Sequence, residues 1–298
     1  APFGPGVIFS ATDDTHGFEP WFSDGTPEGT RMISELDPGA APSDPAAGPR
    51  QFIAFGTTMS FIARNPATGW LHLWTTDGTS GGTAPLPLPF AASPGNVPLD
   101  RVMLGDRLIH CRQLGAGFEL LATSPDGVSA TLGAFSTPER PAGGIGLTPL
   151  GGAAWFLAPD GAGGNALWRT DGTPSGTRPV ASFDGRDPTP HGLFAFRDRL
   201  FFWARRSPDS NGLFVSDGTA AGTALVHDFG TTAGAILHVA LTANAAVLLV
   251  DAVTSGTWVL DGPPFRLRPA PIPVSGNARV IGAGGDDFAV AMETADAS

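Results

Sequence analysis

The sequence predicts an all-β fold, a six-bladed β-propeller of four-stranded antiparallel blades with the first blade closed by the C-terminal strand. Three observations predict it. Gly and Pro supply 41 and 29 of the 298 residues, roughly twice ordinary usage. The apolar runs are short and are bounded by Gly, Pro, Asn or Asp, which suits strands joined by tight turns and not helices. A segment centred on Asp-Gly recurs six times along the chain.

The copies read WFSDGTPEGT (21–30), LWTTDGTSGGT (73–83), LLATSPDGVSAT (120–131), LWRTDGTPSGT (167–177), LFVSDGTAAGT (213–223) and TWVLDGPPF (257–265). Their acids are Asp24, Asp77, Asp126, Asp171, Asp217 and Asp261, spaced by 53, 49, 45, 46 and 44 residues. The fifth copy shows the internal order. His191–Phe196 is a first apolar run, Arg197-Asp198-Arg199 a turn, and Leu200–Ala204 a second run. A polar loop, Arg205–Gly212, leads to Leu213–Ser216, then the Asp-Gly turn, then Thr223–Phe229. Four short strands in about 45 residues is the pattern of a propeller blade.

The ends of the chain fit the same scheme. Val7–Ala11 matches a second strand and Phe18–Ser23 a third, while Ala278–Ala283 matches an innermost strand. The first blade is therefore expected to be completed from the C-terminus, in a single domain spanning residues 1–298. Asp287–Glu293 also has second-strand character and duplicates Val7–Ala11; it pairs elsewhere or begins a partial seventh blade.

At Asp-Gly the chain reverses between third and fourth strands. Gly accepts positive φ without steric cost, and Asp can accept a bond from the backbone two residues on. The Thr hydroxyls of DGTxxGT are placed to bond across the turn. The residue three before the Asp (Trp21, Trp74, Trp168, Phe214, Trp258) is a large ring suited to anchoring the third strand between blades. The copies at Asp126 and Asp261 are degenerate. Calcium is the functional alternative for these acids, but it takes six to eight oxygens and each turn offers one carboxylate. No resident cofactor is expected, with calcium the one ion worth testing.

The segments resemble the bacterial ELWxxDGT repeat, best at Leu167-Trp168-Arg169-Thr170-Asp171-Gly172-Thr173 and Gly176-Thr177. The initial Glu is kept at Glu19 and Glu119. The resemblance covers nearly the whole chain. It implies a propeller-like array in an exported bacterial protein and brings no catalytic residues with it.

Composition narrows the partners. Seventeen basic against 28 acidic residues give a formal charge of −11, which opposes nucleic acid. No apolar run is long enough to span a bilayer as a helix, so contact with a membrane complex would be peripheral. Every basic residue is Arg, in keeping with a high-GC bacterial genome. A start at Ala1 rather than Met predicts that a leader was removed, placing the protein in the periplasm, on the cell surface or outside the cell. The single cysteine, Cys111, permits no internal disulfide and reads as a core residue.

Ligands of propellers gather on the face carrying the loops between second and third strands and between blades. Asp13, Asp14 and His16, with Glu19 nearby, form the candidate metal cluster there, set against a simple polar turn. Asp187 and His191, within DGRDPTPH, are candidates for acid–base work, as is Asp14. Arg64, Arg112 and Arg206 begin such loops and are candidate anion-binding groups. Asp37 and Asp44 lie in the Pro-rich loop 37–48, a candidate contact surface. A lectin-like module would need an exposed Trp on this face; Trp70 and Trp203 are the candidates, and both read as buried. No nucleophile elbow, phosphate loop or His-Glu-x-x-His occurs. The expectation is a non-catalytic module that binds protein partners or acts as a scaffold. A carbohydrate-binding or carbohydrate-active propeller is the alternative.

Overall fold

The computed structural model describes the chain except for residues 14, 37–47, 87–99, 115–116, 137–144, 184–190, 208–209, 231–234, 243, 252–255, 271–276, 285–286 and 294–298. Six four-stranded antiparallel sheets and one two-stranded sheet account for its strands. Blade one is β1 (Pro2–Phe3), β2 (Gly6–Ala11), β3 (Glu19–Ser23) and β4 (Arg31–Met32). Blade two is β5 (Arg50–Phe55), β6 (Thr58–Arg64), β7 (Leu71–Thr76) and β8 (Ala84–Pro85). Blade three is β9 (Arg101–Leu104), β10 (Arg107–Leu114), β11 (Gly117–Thr123) and β12 (Ser129–Ser136). Blade four is β13 (Thr148–Leu150), β14 (Ala153–Pro159), β15 (Asn165–Thr170) and β16 (Arg178–Phe183). Blade five is β17 (His191–Phe196), β18 (Arg199–Ser207), β19 (Ser210–Ser216) and β20 (Ala224–Gly230). Blade six is β21 (Ala235–Leu241), β22 (Ala246–Asp251), β23 (Gly256–Asp261) and β24 (Arg266–Pro269). A hairpin of β25 (Asn277–Gly284) and β26 (Asp287–Glu293) comes last. Each sheet is a meander, with chain neighbours as sheet neighbours. The blades fall in two compact units, residues 1–134 with 172–174 and residues 135–171 with 175–298.

The six blades are those the repeat predicts, with one difference. Blade one takes its innermost strand from its own N-terminal residues and not from the C-terminus. The chain turns at Gly4-Pro5, pairs Pro2 with Val7 and Phe3 with Gly6, and Ile8 N–H donates to the Ala1 carbonyl at 2.8 Å. Two residues show no period, so this strand leaves no trace in the hydrophobic pattern. Ala278–Ala283 and Asp287–Glu293 pair with each other along their whole length. β25 lies beside β21 as β21 lies beside β17, the place of an innermost strand in a further blade. The polar loop expected at Arg205–Gly212 is also shorter than expected, because β18 and β19 continue their ladder to Ser207 and Ser210.

Alternation along the second strands builds the core. In β18, Leu200, Phe202 and Ala204 join one cluster with Trp155, Leu157, Leu167 and Phe214. Phe201 and Trp203 point the other way, into a cluster with Leu248, Val250, Trp258 and Leu260. Both faces are buried over Leu200–Ala204, so that run is apolar throughout and shows no polar alternation. Third-strand rings lie opposite second-strand rings in register: Phe61 pairs Trp74, Phe156 pairs Trp168, and Phe202 pairs Phe214. These pairs stack with centroids 6.3, 6.1 and 5.9 Å apart. This stacking lies within single blades; packing against a neighbouring blade is seen for Phe214 and Trp258.

Candidate functional site

Two sets of loops bear the polar residues singled out by sequence, the Asp-Gly turns and the loops between second and third strands. In the turn of blade two, Asp77 Oδ1 accepts from Thr79 N–H at 2.9 Å and from the Thr79 hydroxyl at 2.6 Å. The Thr79 hydroxyl accepts from Gly82 N–H at 3.0 Å, and Thr83 Oγ1 donates to the Thr79 carbonyl at 2.6 Å. The hydroxyls of Thr76 and Thr83 meet at 2.7 Å, and Gly78 N–H donates to Thr76 Oγ1 at 3.0 Å. Asp24 and Asp217 head the same network in blades one and five. In blade four, Thr170 and Thr177 make the closing hydroxyl pair at 2.7 Å beside Asp171. The bond across the turn thus joins the residue before the Asp to the last Thr.

This network explains both glycines. The first sits at φ 93, 88, 87 and 90 in Gly25, Gly78, Gly172 and Gly218, a region open to Gly. The second is fixed by contact, since a Cβ on Gly29, Gly82, Gly176 or Gly222 would meet the Asp carboxylate at 2.0–2.1 Å. Hydrogen bonds from the following Thr hydroxyl and N–H hold Asp24, Asp77 and Asp217 below the ordinary carboxylate pKa. These acids act as turn caps.

The degenerate copies are built differently. Asp126 accepts from the Ser124 hydroxyl and, at 3.3 Å, from Val128 N–H, and the closing hydroxyl pair is Thr123 with Ser129 at 2.7 Å. Asp126 still caps a turn, two residues further from the closing hydroxyl than in the regular copies. Among the described residues Asp261 heads no such network; it accepts from Arg268 Nε at 3.0 Å across the β23–β24 hairpin. Its expected role as a turn cap is therefore corrected, because Pro263-Pro264 stands where the donors of the other copies lie.

Of the metal cluster, Asp14 lies outside the described residues. Asp13 caps its own loop, with Oδ1 accepting from Thr15 N–H at 2.8 Å and His16 N–H at 2.7 Å, and His16 Nδ1 lies 2.8 Å from Oδ2. The His16 imidazole, with those N–H groups, holds Asp13 well below the usual carboxylate range, and Asp13 raises His16 in return. Asn65 and Asp160 cap the equivalent loops of blades two and four, through Ala67 N–H at 3.0 Å and Ala162 N–H at 2.8 Å. Among the described residues no three metal-ligating side chains come together. Asp187, Asp37 and Asp44 lie outside the described residues, and His191 and Arg206 are placed by backbone alone, in β17 and β18.

The arginines divide. Arg64 is exposed at the end of β6. Arg112 is not a free anion-binding group, because it is ion-paired to Glu119, its cross-strand partner in register. Glu119 is buried and also accepts from the Thr131 hydroxyl at 2.7 Å. Glu19, buried at the same place in blade one, accepts from Leu36 N–H at 2.8 Å. Glu119 ties the third strand to the fourth in blade three, and Glu19 ties it to the residues just past the fourth in blade one. The sequence reading missed this, although its cue was visible in the retention of Glu at two copies.

Blade three also holds a buried polar pair, His110, which reads from the sequence as a structural residue within a strand, and Arg101, which the sequence reading did not single out. His110 is fully buried, its Nε2 2.8 Å from Thr123 Oγ1. Burial, with Arg101 and Arg112 nearby, lowers its pKa to about 3. Arg101, its register partner, is buried too and donates to Gln51 Oε1 at 3.0 Å and to the Gln51 carbonyl. Burial lowers the Arg101 pKa to about 10. Trp203 is fully buried as expected, but Trp70 is 43% exposed.

No protein-family model matches the chain, and no curated protein matches it in sequence. Solved structures do match. A prolyl endopeptidase is 13% identical with a TM-score of 0.52, over 78% of this chain and 37% of its own. Prolyl oligopeptidase B from Galerina marginata is 12% identical with a TM-score of 0.50, over 78% of this chain and 38% of its own. The β-propeller domain of the Trilobed protease from Pyrococcus furiosus is 13% identical with a TM-score of 0.48, over 89% of this chain and 80% of its own. At these identities the likeness is one of fold. The fold is a β-propeller. This chain spans well under half the length of the two peptidases. Among the described residues no helix is long and apolar enough to cross a membrane.

Proposed function

We propose that this chain is an exported, non-catalytic β-propeller that serves as a protein-binding or scaffold module, an accessory subunit of an envelope or extracellular assembly. One observation supports this reading above others. Many of the polar groups of the loops are spent on the loops themselves: Asp13 with His16, Asp160 on Ala162 and Gly164, and the turn acids Asp24, Asp77 and Asp217 on their Thr. Groups so engaged stiffen a surface, and a stiff surface suits recognition. The export element rests on the resemblance to the ELWxxDGT repeat. The buried Glu19 and Glu119 support that resemblance by giving its first letter a structural use.

Native size tests the reading. A gentle extract of the source organism, fractionated by size, should carry this chain in a defined complex well above its own 30.5 kDa. Migration near 30.5 kDa, alone, overturns the scaffold role.

A further inference from the structure

Trp70 departs from the repeat at a position with no structural use for a ring. Seven residues before the turn Asp, copies one, four and five carry Gly17, Gly164 and Ser210, where copy two carries Trp70. At Gly164 a Cβ would meet the Phe183 carbonyl and the Asp160 carboxylate at 2.9 Å, so the position elsewhere favours the smallest side chains. In blade two the indole stands 43% exposed, whereas Trp74, four residues on, is buried against Phe61. A Trp left in water forgoes the burial that is its main contribution to a fold.

The loop beneath the ring is closely tied. Asn65 N–H donates to the Trp70 carbonyl and Gly69 N–H to the Asn65 carbonyl, both at 2.8 Å. Trp70 N–H donates to Thr68 Oγ1 at 3.3 Å, and that hydroxyl lies 2.9 Å from His72 Nε2. Burial holds the His72 pKa below its ordinary value, so the imidazole is neutral near pH 7, and with Nε2 on Thr68 it has Nδ1 as its second polar atom. Between Arg64 and His72 the indole is the only exposed large apolar side chain.

We propose that Trp70 is a carbohydrate-stacking platform, its indole taking the C–H face of a neutral pyranose while Thr68 and His72 bond the sugar hydroxyls. A protein partner needs a ring set among surfaces that exclude water around it. One ring with a hydroxyl two residues before it and an imidazole two residues after it suits a sugar, which offers an apolar face and hydroxyl groups. The site goes beyond the scaffold reading and stands or falls apart from it.

The test uses the full chain with cellohexaose, laminarihexaose, chitohexaose and mannohexaose, read by calorimetry and by indole fluorescence. At least one should bind, Trp70→Ala should weaken that binding by about tenfold or more, and Trp70→Phe should retain most of it. Both variants should melt with the parent protein. Absence of binding by all four oligosaccharides, or binding unchanged in Trp70→Ala, overturns the proposal. So does a Trp70→Ala effect seen only on self-association or on a protein complex.

Discussion

Blades two and three share one register and solve their interiors in opposite ways. Blade two stacks Phe61 on Trp74 and closes its turn with Asp77, Thr79 and a hydroxyl pair. Blade three buries Arg101, His110 and Glu119 around the same strand positions and closes its turn with a displaced Asp126. The difference teaches that the ladder, and not the side chains on it, is the repeated object. A blade accepts buried charge where each charge meets a partner, as Arg112 meets Glu119 and Arg101 meets Gln51.

That contrast can be broken from either side. The largest effect is expected in blade three. Glu119→Ala withdraws the carboxylate from Arg112 and from Thr131, and should cost about 3–5 kcal/mol in denaturant unfolding. Adding Arg112→Ala should recover part of that loss, since the two side chains act as a pair. In blade two, Gly82→Ala sets a methyl where the Asp77 carboxylate sits, 2.1 Å away. It should cost about 1–3 kcal/mol, and combining it with Asp77→Ala should cost less than the sum of the two single changes. A pH effect is centred on blade three, with His72 and His227, also lowered by burial, adding to it in the same direction. The folded His110 pKa is about 3, below its ordinary 6.5. Between those values the unfolded chain takes up a proton that the folded chain refuses. Stability therefore falls as pH drops through 6.5 toward 3, by about 1.4 kcal/mol per unit. The parent protein's melting profile should show this slope, and His110→Gln should flatten it. The smallest effect should come from Thr76→Val. It removes the closing hydroxyl pair and the acceptor for Gly78 N–H, and should lower stability by about 1 kcal/mol.

Much of this architecture was legible because repetition multiplies weak signals. A lone run such as Leu213–Ser216 says little, but six copies in one order specify a blade. The features that escaped were local or non-repeating. β1 has two residues and pairs only after the Gly4-Pro5 turn brings it back. The second glycine of the motif answers to a carboxylate five residues earlier, a contact without a periodic trace. The candidate site was less legible still. Arg112 looked like a loop cation because its partner Glu119 lies on the next strand, and pairing depends on register. Trp70 looked buried because aromatic residues beside strands usually are. Its departure from the Gly and Ser of the other copies was the cue that it faces water.

The Asp-Gly-Thr turn has a consequence for how such a chain arises. Most of its polar groups are satisfied within an eight-residue span, from Thr76 to Thr83 in blade two, while the Gly78 carbonyl accepts from Arg31 of blade one at 2.8 Å. A gene segment encoding one blade therefore carries its own means of closing its outer hairpin. It can be copied or lost by recombination with its turn intact, although its packing against the neighbouring blade must then be remade. The unequal decay of the copies at Asp126 and Asp261 is what independent inheritance of such cassettes would leave behind.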